Sequence, residues 1–122
     1  MGDRIVIAFF ENGDYRISLY DHWGGDIFKC PNLFDELQNA LVRLADESND
    51  FSNFLTMFIH WYRKWRGLKP EEPYNIYLEL IPCLPDYDVI CFDYATREIK
   101  IMSIEEFSKI VHEKYPNVEG TW

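Results

Sequence analysis

Apolar and polar positions at the start of the chain follow a pattern that predicts a β-hairpin. An apolar run, 5–10, is followed by Asn12-Gly13, and residues 15–20 then alternate strictly between polar and apolar. Asn-Gly between two such runs predicts a two-residue type I′ turn, because both central residues need a positive φ. The hairpin then has one continuous apolar face. The predicted pairs are Phe10 with Tyr15, Ala8 with Ile17, and Val6 with Leu19.

Two helices are predicted next, because apolar residues recur three and four positions apart. The first begins after Asn32 as N-cap and extends to about Ala45. The second runs from about Phe51 to Arg66, and Gly67 follows it as a natural helix-ending residue. Its predicted core stripe is Phe51, Phe54, Leu55, Phe58, Tyr62 and Trp65.

The second half of the chain predicts three strands and a last helix. The strands are 75–81, 88–94 and 98–102, and residues 68–73 between helix and strand form a loop. Ser103 and Glu106 form a capping box, so a helix begins there and runs to about Lys114. The tail 117–122 is expected to be loose.

The predicted element order is β-β-α-α-β-β-β-α, which is typical of the α+β class. Strands that follow one another as hairpins favour a mainly antiparallel sheet, here of about five strands, with helices packed on one face. The length of 122 residues fits a single domain spanning 1–122.

Composition and charge exclude some classes of function. The formal net charge is −9, which argues against direct nucleic-acid binding and against an anionic membrane surface. It favours a protein partner with a basic surface, although solubility alone also explains it. No run of eighteen apolar residues occurs, and the three cysteines have no CxxC spacing. We therefore expect a soluble, cytoplasmic protein with reduced thiols, for which a homo-oligomer is an open alternative.

The sequence contains no recognisable catalytic set, and no metal or cofactor is predicted. Asp21, His22 and Asp26 could approach one another, but aspartates are common in turns for backbone reasons. Cys91 lies inside a predicted strand and is expected to be a buried, inert thiol. Asp93 is expected to accept hydrogen bonds at a strand end. Whether the protein is an enzyme stays open, with the balance against it.

A second surface lies on the second predicted helix. His60, Trp61 and Lys64 fall on a side that differs from the predicted core stripe. Tryptophan is favoured at binding hot spots, so these residues are a candidate interaction surface. The alternative is that Trp61 belongs to the core.

The strongest candidate site is the segment 19–25, LYDHWGG, where the second strand ends. Consecutive glycines permit a positive φ and a close backbone approach. As a ligand site, Gly24 and Gly25 would hold an anion, Trp23 would stack on the ligand and His22 would exchange a proton. As a structural corner, Trp23 would turn inward and plug the end of the sheet, and His22 would bond a backbone carbonyl. No P-loop pattern is present.

The segment also carries a resemblance. The motif LYxHWGG at 19–25, and S-x-E-E-F at 103–107, resemble those of a family of small uncharacterised phage and prokaryotic proteins. The resemblance covers residues 4 to about 112 and departs from the family pattern between Pro82 and Pro85. It implies a phage, viral or archaeal accessory protein, of a kind that often acts by binding, for example against host defence.

The sequence leads to two hypotheses on the function of the protein. The first is a small acidic binding protein without catalytic activity, which would act in the host cytoplasm if a virus encodes it. The alternative is a protein that binds a nucleotide-like small ligand, or a weak hydrolase, with its site at His22, Trp23, Gly24 and Gly25.

Overall fold

The computed structural model describes residues 3–68 and 76–116. The predicted α+β class and element order are confirmed, with a short extra helix after the second strand. Parts of the predicted 68–73 loop, the first residue of the predicted 75–81 strand and the predicted loose tail lie outside the described residues. The elements are β1 (Ile5–Glu11), β2 (Asp14–Asp21), α1 (Asp26–Lys29), α2 (Pro31–Glu47), α3 (Phe51–Trp65), β3 (Ile76–Glu79), β4 (Val89–Asp93), β5 (Ile99–Met102) and α4 (Ile104–Lys114).

The five strands form one sheet in the order β3-β2-β1-β4-β5. Of the four neighbouring pairs of these strands, three are antiparallel, which confirms the predicted character of the sheet, and the pair β1 and β4 is parallel. A central strand is covered on both faces, so it needs apolar side chains on both. This explains why β1 is a continuous apolar run that is buried from Ile5 to Phe10.

The hairpin register differs from the prediction beyond its first pair. Phe10 pairs with Tyr15 as predicted, but a bulge opposite Phe9 and Phe10 shifts the remaining pairs by one residue. Ala8 therefore pairs with Ser18, and Val6 with Tyr20. The bulge turns Tyr15 to one face of the sheet and Leu19 to the other. The single apolar face expected for the hairpin is wrong, because both faces are covered.

The helices also lie on both faces of the sheet rather than on one. Helices α1, α2 and α3 pack against the face that carries Ile7, Phe9 and Leu19. Helix α4 packs against the opposite face, where Phe107 and Val111 contact the other side of β1 and β4. The placement follows from the fully apolar β1, which would leave a face exposed if all the helices were on one side.

The helix ends follow local sequence signals. Ser103 caps α4 by accepting a hydrogen bond from the backbone N–H of Glu106 at 3.1 Å, as the capping box predicts. Gly67 follows α3 with a φ of 76°, as predicted. The predicted start of the first long helix at Asn32 is wrong: α2 begins at Pro31, whose fixed φ suits the first helical position.

Candidate functional site

The LYDHWGG segment forms a corner between β2 and α1, and the start of the chain crosses it. The backbone N–H of Asp3 donates to the carbonyl of His22 at 2.9 Å, and the N–H of Gly25 donates to the carbonyl of Asp3 at 2.9 Å. These bonds lie beyond the last pair of the β1–β2 ladder, Ile5 with Asp21. The corner is therefore fixed to the sheet on one side.

Both glycines are buried and are required for a close approach. A Cβ on Gly24 would lie 2.6 Å from Cγ1 of Ile5, and one on Gly25 would lie 2.2 Å from Cγ of Asp3. Neither glycine has a positive φ, so that part of the expectation is wrong. The close backbone approach is confirmed. The glycines make room for the chain's own residues.

The buried carboxylate of Asp21 stabilises the corner by accepting two hydrogen bonds. Asp21 is 3% exposed; its Oδ1 accepts from the N–H of Trp23 at 3.0 Å and its Oδ2 from the hydroxyl of Tyr62 at 2.6 Å. Burial, followed by the adjacent Asp21 charge, raises the pKa of Tyr62 well above its ordinary value. Tyr62 therefore stays neutral and acts as a permanent donor.

Arg66 joins the same corner to the end of α3. Its Nη2 lies 2.9 Å from Oδ1 of Asp26 and donates to the carbonyl of Trp23 at 3.1 Å. Its Nε lies 3.6 Å from Oδ2 of Asp21. Because Asp21 and Asp26 share a guanidinium, and His22 bonds elsewhere, these three side chains do not converge as metal ligands. Across the described ranges, no group of three or more His, Cys, Asp or Glu side chains is placed to hold a metal ion.

The carboxylate of Asp3 lies directly against Gly25. It accepts from Nζ of Lys29 at 2.8 Å and from the hydroxyl of Tyr87 at 2.6 Å. These hydrogen bonds, that from Lys29 first, lower the pKa of Asp3. An internal anion thus lies against Gly25, where the sequence predicted a ligand anion.

The two remaining predicted site residues, His22 and Trp23, are at least partly exposed. Trp23 is 54% exposed, so the expectation that it plugs the end of the sheet is wrong. The strand alternation that would turn it inward ends at Asp21, because the turn begins there. His22 is half-buried; its Nδ1 lies 2.7 Å from the hydroxyl of Tyr20, and its ring meets the Trp23 ring edge-on at 4.7 Å. The predicted bond of His22 to a backbone carbonyl is replaced by this side-chain bond.

Tyr77 extends this aromatic surface onto the edge of the sheet. It pairs with Tyr20 across β2 and β3, and the two rings stack at 6.1 Å. Tyr77 is 47% exposed. We call His22, Trp23 and Tyr77, together with the buried Tyr20 that contacts both His22 and Tyr77, the corner patch. Sequence reasoning missed Tyr77, because its place beside the segment depends on the β2–β3 register.

The charged groups around the corner patch are largely paired with one another. Arg4 makes a bidentate contact to Asp86 at 3.0 and 3.1 Å. These bonds from Arg4 lower the pKa of Asp86 to about 2. The cations Arg4, Lys29 and Arg66 are thus each paired with a carboxylate, whereas the side chain of Glu79 on β3 makes no hydrogen bond or ion pair with any described residue. This end of the sheet is acidic on balance.

The second candidate surface, on α3, is only partly exposed. His60 and Lys64 are exposed, and Trp61 is half-buried against the main core with its ring stacked on Trp65 at 4.8 Å. Trp61 therefore contributes to both core and surface. Two grooves lie beside His60 and Lys64. One, of about 790 Å³, is lined by Thr56, Ile59, His60, Arg63, Lys64, Gly67 and Leu68, and one of about 520 Å³ by Leu44, Met57, His60, Trp61, Lys64 and Trp65.

Two further sequence expectations concern single residues. Cys91 is 2% exposed, and burial raises the pKa of its thiol to about 12, so it is not a nucleophile at neutral pH.

Asp93 at the end of β4 accepts backbone N–H bonds from two turns, which is the predicted hydrogen-bonding role. The donors are Asn12 at 3.0 Å, Gly13 at 2.8 Å, Ala95 at 2.9 Å and Thr96 at 3.1 Å.

No protein-family model matches the chain, and neither a curated protein nor a solved structure matches it. The resemblance through LYxHWGG therefore stays a prediction. Within 3–68 and 76–116, no helix combines the length and apolar character needed to cross a membrane.

Proposed function

We propose that this protein is a small acidic binding protein whose partner is a protein with a basic surface, and that the corner patch contacts this partner. The observation that carries the proposal is the exposure of Trp23, at 54%, on a corner that is otherwise rigidly built. The fold uses the backbone of Trp23, through Asp21 and Arg66, and leaves most of its ring in solvent. A large exposed ring on a fixed backbone is typical of an interface anchor.

The charge supports a basic partner. The formal net charge is −9, and the cations beside the corner patch are held in ion pairs. A basic surface would be attracted over several ångströms and would orient before contact. Arginine and lysine side chains also bind to the faces of tryptophan and tyrosine rings. Charge and aromatic exposure thus favour the same class of partner.

The nucleotide-like alternative has less support. It requires the N–H groups of the glycines to face a ligand phosphate, but Gly24 and Gly25 are buried under Ile5 and Asp3. The carboxylate of Asp3 would repel a phosphate at that position. Only His22 and Trp23 of the predicted ligand-binding residues remain open to a ligand.

The test is affinity purification of the tagged chain from its source cells, with Trp23→Ala beside the wild type. We expect Trp23→Ala to lose the co-purifying protein while its free energy of unfolding falls by less than about 1 kcal/mol, because the ring is mostly solvated. Ile101→Ala, an exposed residue on β5 at the other edge of the sheet, is the matched control and should retain the partner.

Salt dependence and a ligand panel separate the alternatives. Raising salt from about 50 to 500 mM should weaken the complex, and a stoichiometric complex that salt leaves unchanged would contradict the electrostatic part of the proposal. A thermal shift with a nucleotide that disappears in His22→Ala and Trp23→Ala would instead favour the small-ligand alternative.

A further inference from the structure

Strand β3 forms one edge of the sheet beside the corner patch. On its inner side β3 pairs with β2 from Ser18–Glu79 to Asp21–Ile76. In the described part of the chain no strand pairs with its outer side. An open edge presents unpaired N–H and C=O groups that another extended chain can use.

The two edges of the sheet differ in how they are protected. Strand β5, at the opposite edge, carries Lys100 in its middle, and a lysine there discourages pairing with another chain. Strand β3 reads Ile-Tyr-Leu-Glu and contains no lysine, arginine or proline. Tyr77 is 47% exposed, Leu78 is 37% exposed, and Leu80 just beyond the strand is 52% exposed. Among the described residues, the β3 edge is thus largely apolar and exposed, and Glu79 is its charged residue.

The two faces of the β3 edge favour different side chains on an added strand. Tyr77 and Glu79 share a face with Tyr20, whereas Leu78 lies on the face of Leu19. A strand added to this edge would alternate between these faces. Basic residues would meet the ring of Tyr77 and the carboxylate of Glu79, and apolar residues would meet Leu78.

We propose that the outer edge of β3 binds an extended segment of the partner in which basic and apolar residues alternate, as an added strand of the sheet. This rests on the proposed function, whose basic partner it describes in more detail. A second copy of the chain is a poorer occupant, because it would bring a second Glu79 and a second net charge of −9 to the same edge.

The test uses a blocked peptide of alternating arginine and valine, about nine residues long, with the intact protein. We expect binding measured by calorimetry, and protection from amide hydrogen exchange at residues 76–79 but not at residues 99–102. A version of the peptide with N-methyl groups on alternate residues keeps the side chains and loses one edge of hydrogen bonds. It should bind at least tenfold more weakly.

Variants and a second peptide complete the design. Tyr77→Ala should weaken binding about fivefold or more, and Ile101→Ala should leave it unchanged. A second peptide of the same length, in which glutamate alternates with valine, should not bind. Equal binding of the N-methylated peptide, or protection at β5 instead of β3, overturns the proposal, and so does a lack of binding up to about 1 mM. A free protein that sediments as a dimer with β3 amides protected also overturns it. None of these outcomes affects the Trp23→Ala result, so failure of the strand pairing is distinguishable from failure of the proposed function.

Discussion

Asp93→Asn tests how the two turns at one end of the sheet are held together. The carboxylate joins the β1–β2 turn to the turn after β4 through four backbone N–H donors at 2.8 to 3.1 Å. In the variant the amide oxygen keeps the place of Oδ1, but the amide NH₂ then faces the N–H of Gly13. Loss of one charge-assisted bond, with a donor set against a donor, costs about 2 kcal/mol. For a chain of this length we expect a fall in Tm of about 5–10 °C.

Urea unfolding followed by tryptophan fluorescence measures this loss. Asp88→Asn is the matched control, because it makes the same change in charge at an exposed carboxylate that bonds to no described residue. The reasoning is refuted if Asp93→Asn and Asp88→Asn unfold within about 0.5 kcal/mol of each other, since surface substitutions commonly fall in that range.

The effect of Asp93 also has a defined pH dependence. Burial by itself would raise the pKa of Asp93, but the N–H donors of both turns, Gly13 first, outweigh it and lower the pKa below its ordinary value. A lowered folded-state pKa gives stability that is present above the unfolded pKa of about 3.9 and is lost as pH falls through the folded pKa. The difference in unfolding free energy between wild type and Asp93→Asn should therefore shrink below about pH 4.

Three further predictions concern the corner and the thiols. Gly24→Ala should destabilise the fold by about 2 kcal/mol in urea unfolding, because the new Cβ overlaps the core, and an unchanged midpoint would contradict the close approach. Tyr62→Phe leaves the buried Asp21 without its 2.6 Å donor and should cost about 1–3 kcal/mol; thermal unfolding with an unchanged Tm would show that the bond is dispensable. A disulfide reagent should label Cys83 in the native protein and Cys91 only after denaturation, read by mass spectrometry.

Features encoded by neighbouring residues could be predicted from the sequence. The Asn12-Gly13 turn and the Ser103 cap depend on residues a few positions apart, and each forms as its local chemistry requires. The same holds for the end of α3, which Gly67 follows with a positive φ. The class and element order follow from these signals together.

Features that depend on distant residues could not be predicted. The alternation at Tyr15, Ile17 and Leu19 reads as a regular strand, and only helices on both faces of the sheet show why a bulge divides it. At the candidate site, the buried role of Asp21 requires Tyr62 from α3, and the exposed ring of Tyr77 requires the β2–β3 register. The sequence located the corner but not the surface to which it belongs.

The parallel pairing of β1 with β4 has a consequence for synthesis of the chain. Ile7 pairs with Ile90, so one side of β1 stays unpaired until the β4 segment has been synthesised. The ribosome releases the hairpin and the long helices first, at roughly 5–20 residues per second. Until β4 arrives, the nascent chain holds an apolar strand with an open side, which is the kind of segment that aggregates or recruits chaperones. A stalled or truncated product that ends before β4 is therefore expected to enter inclusion bodies to a greater extent than a chain that contains β4.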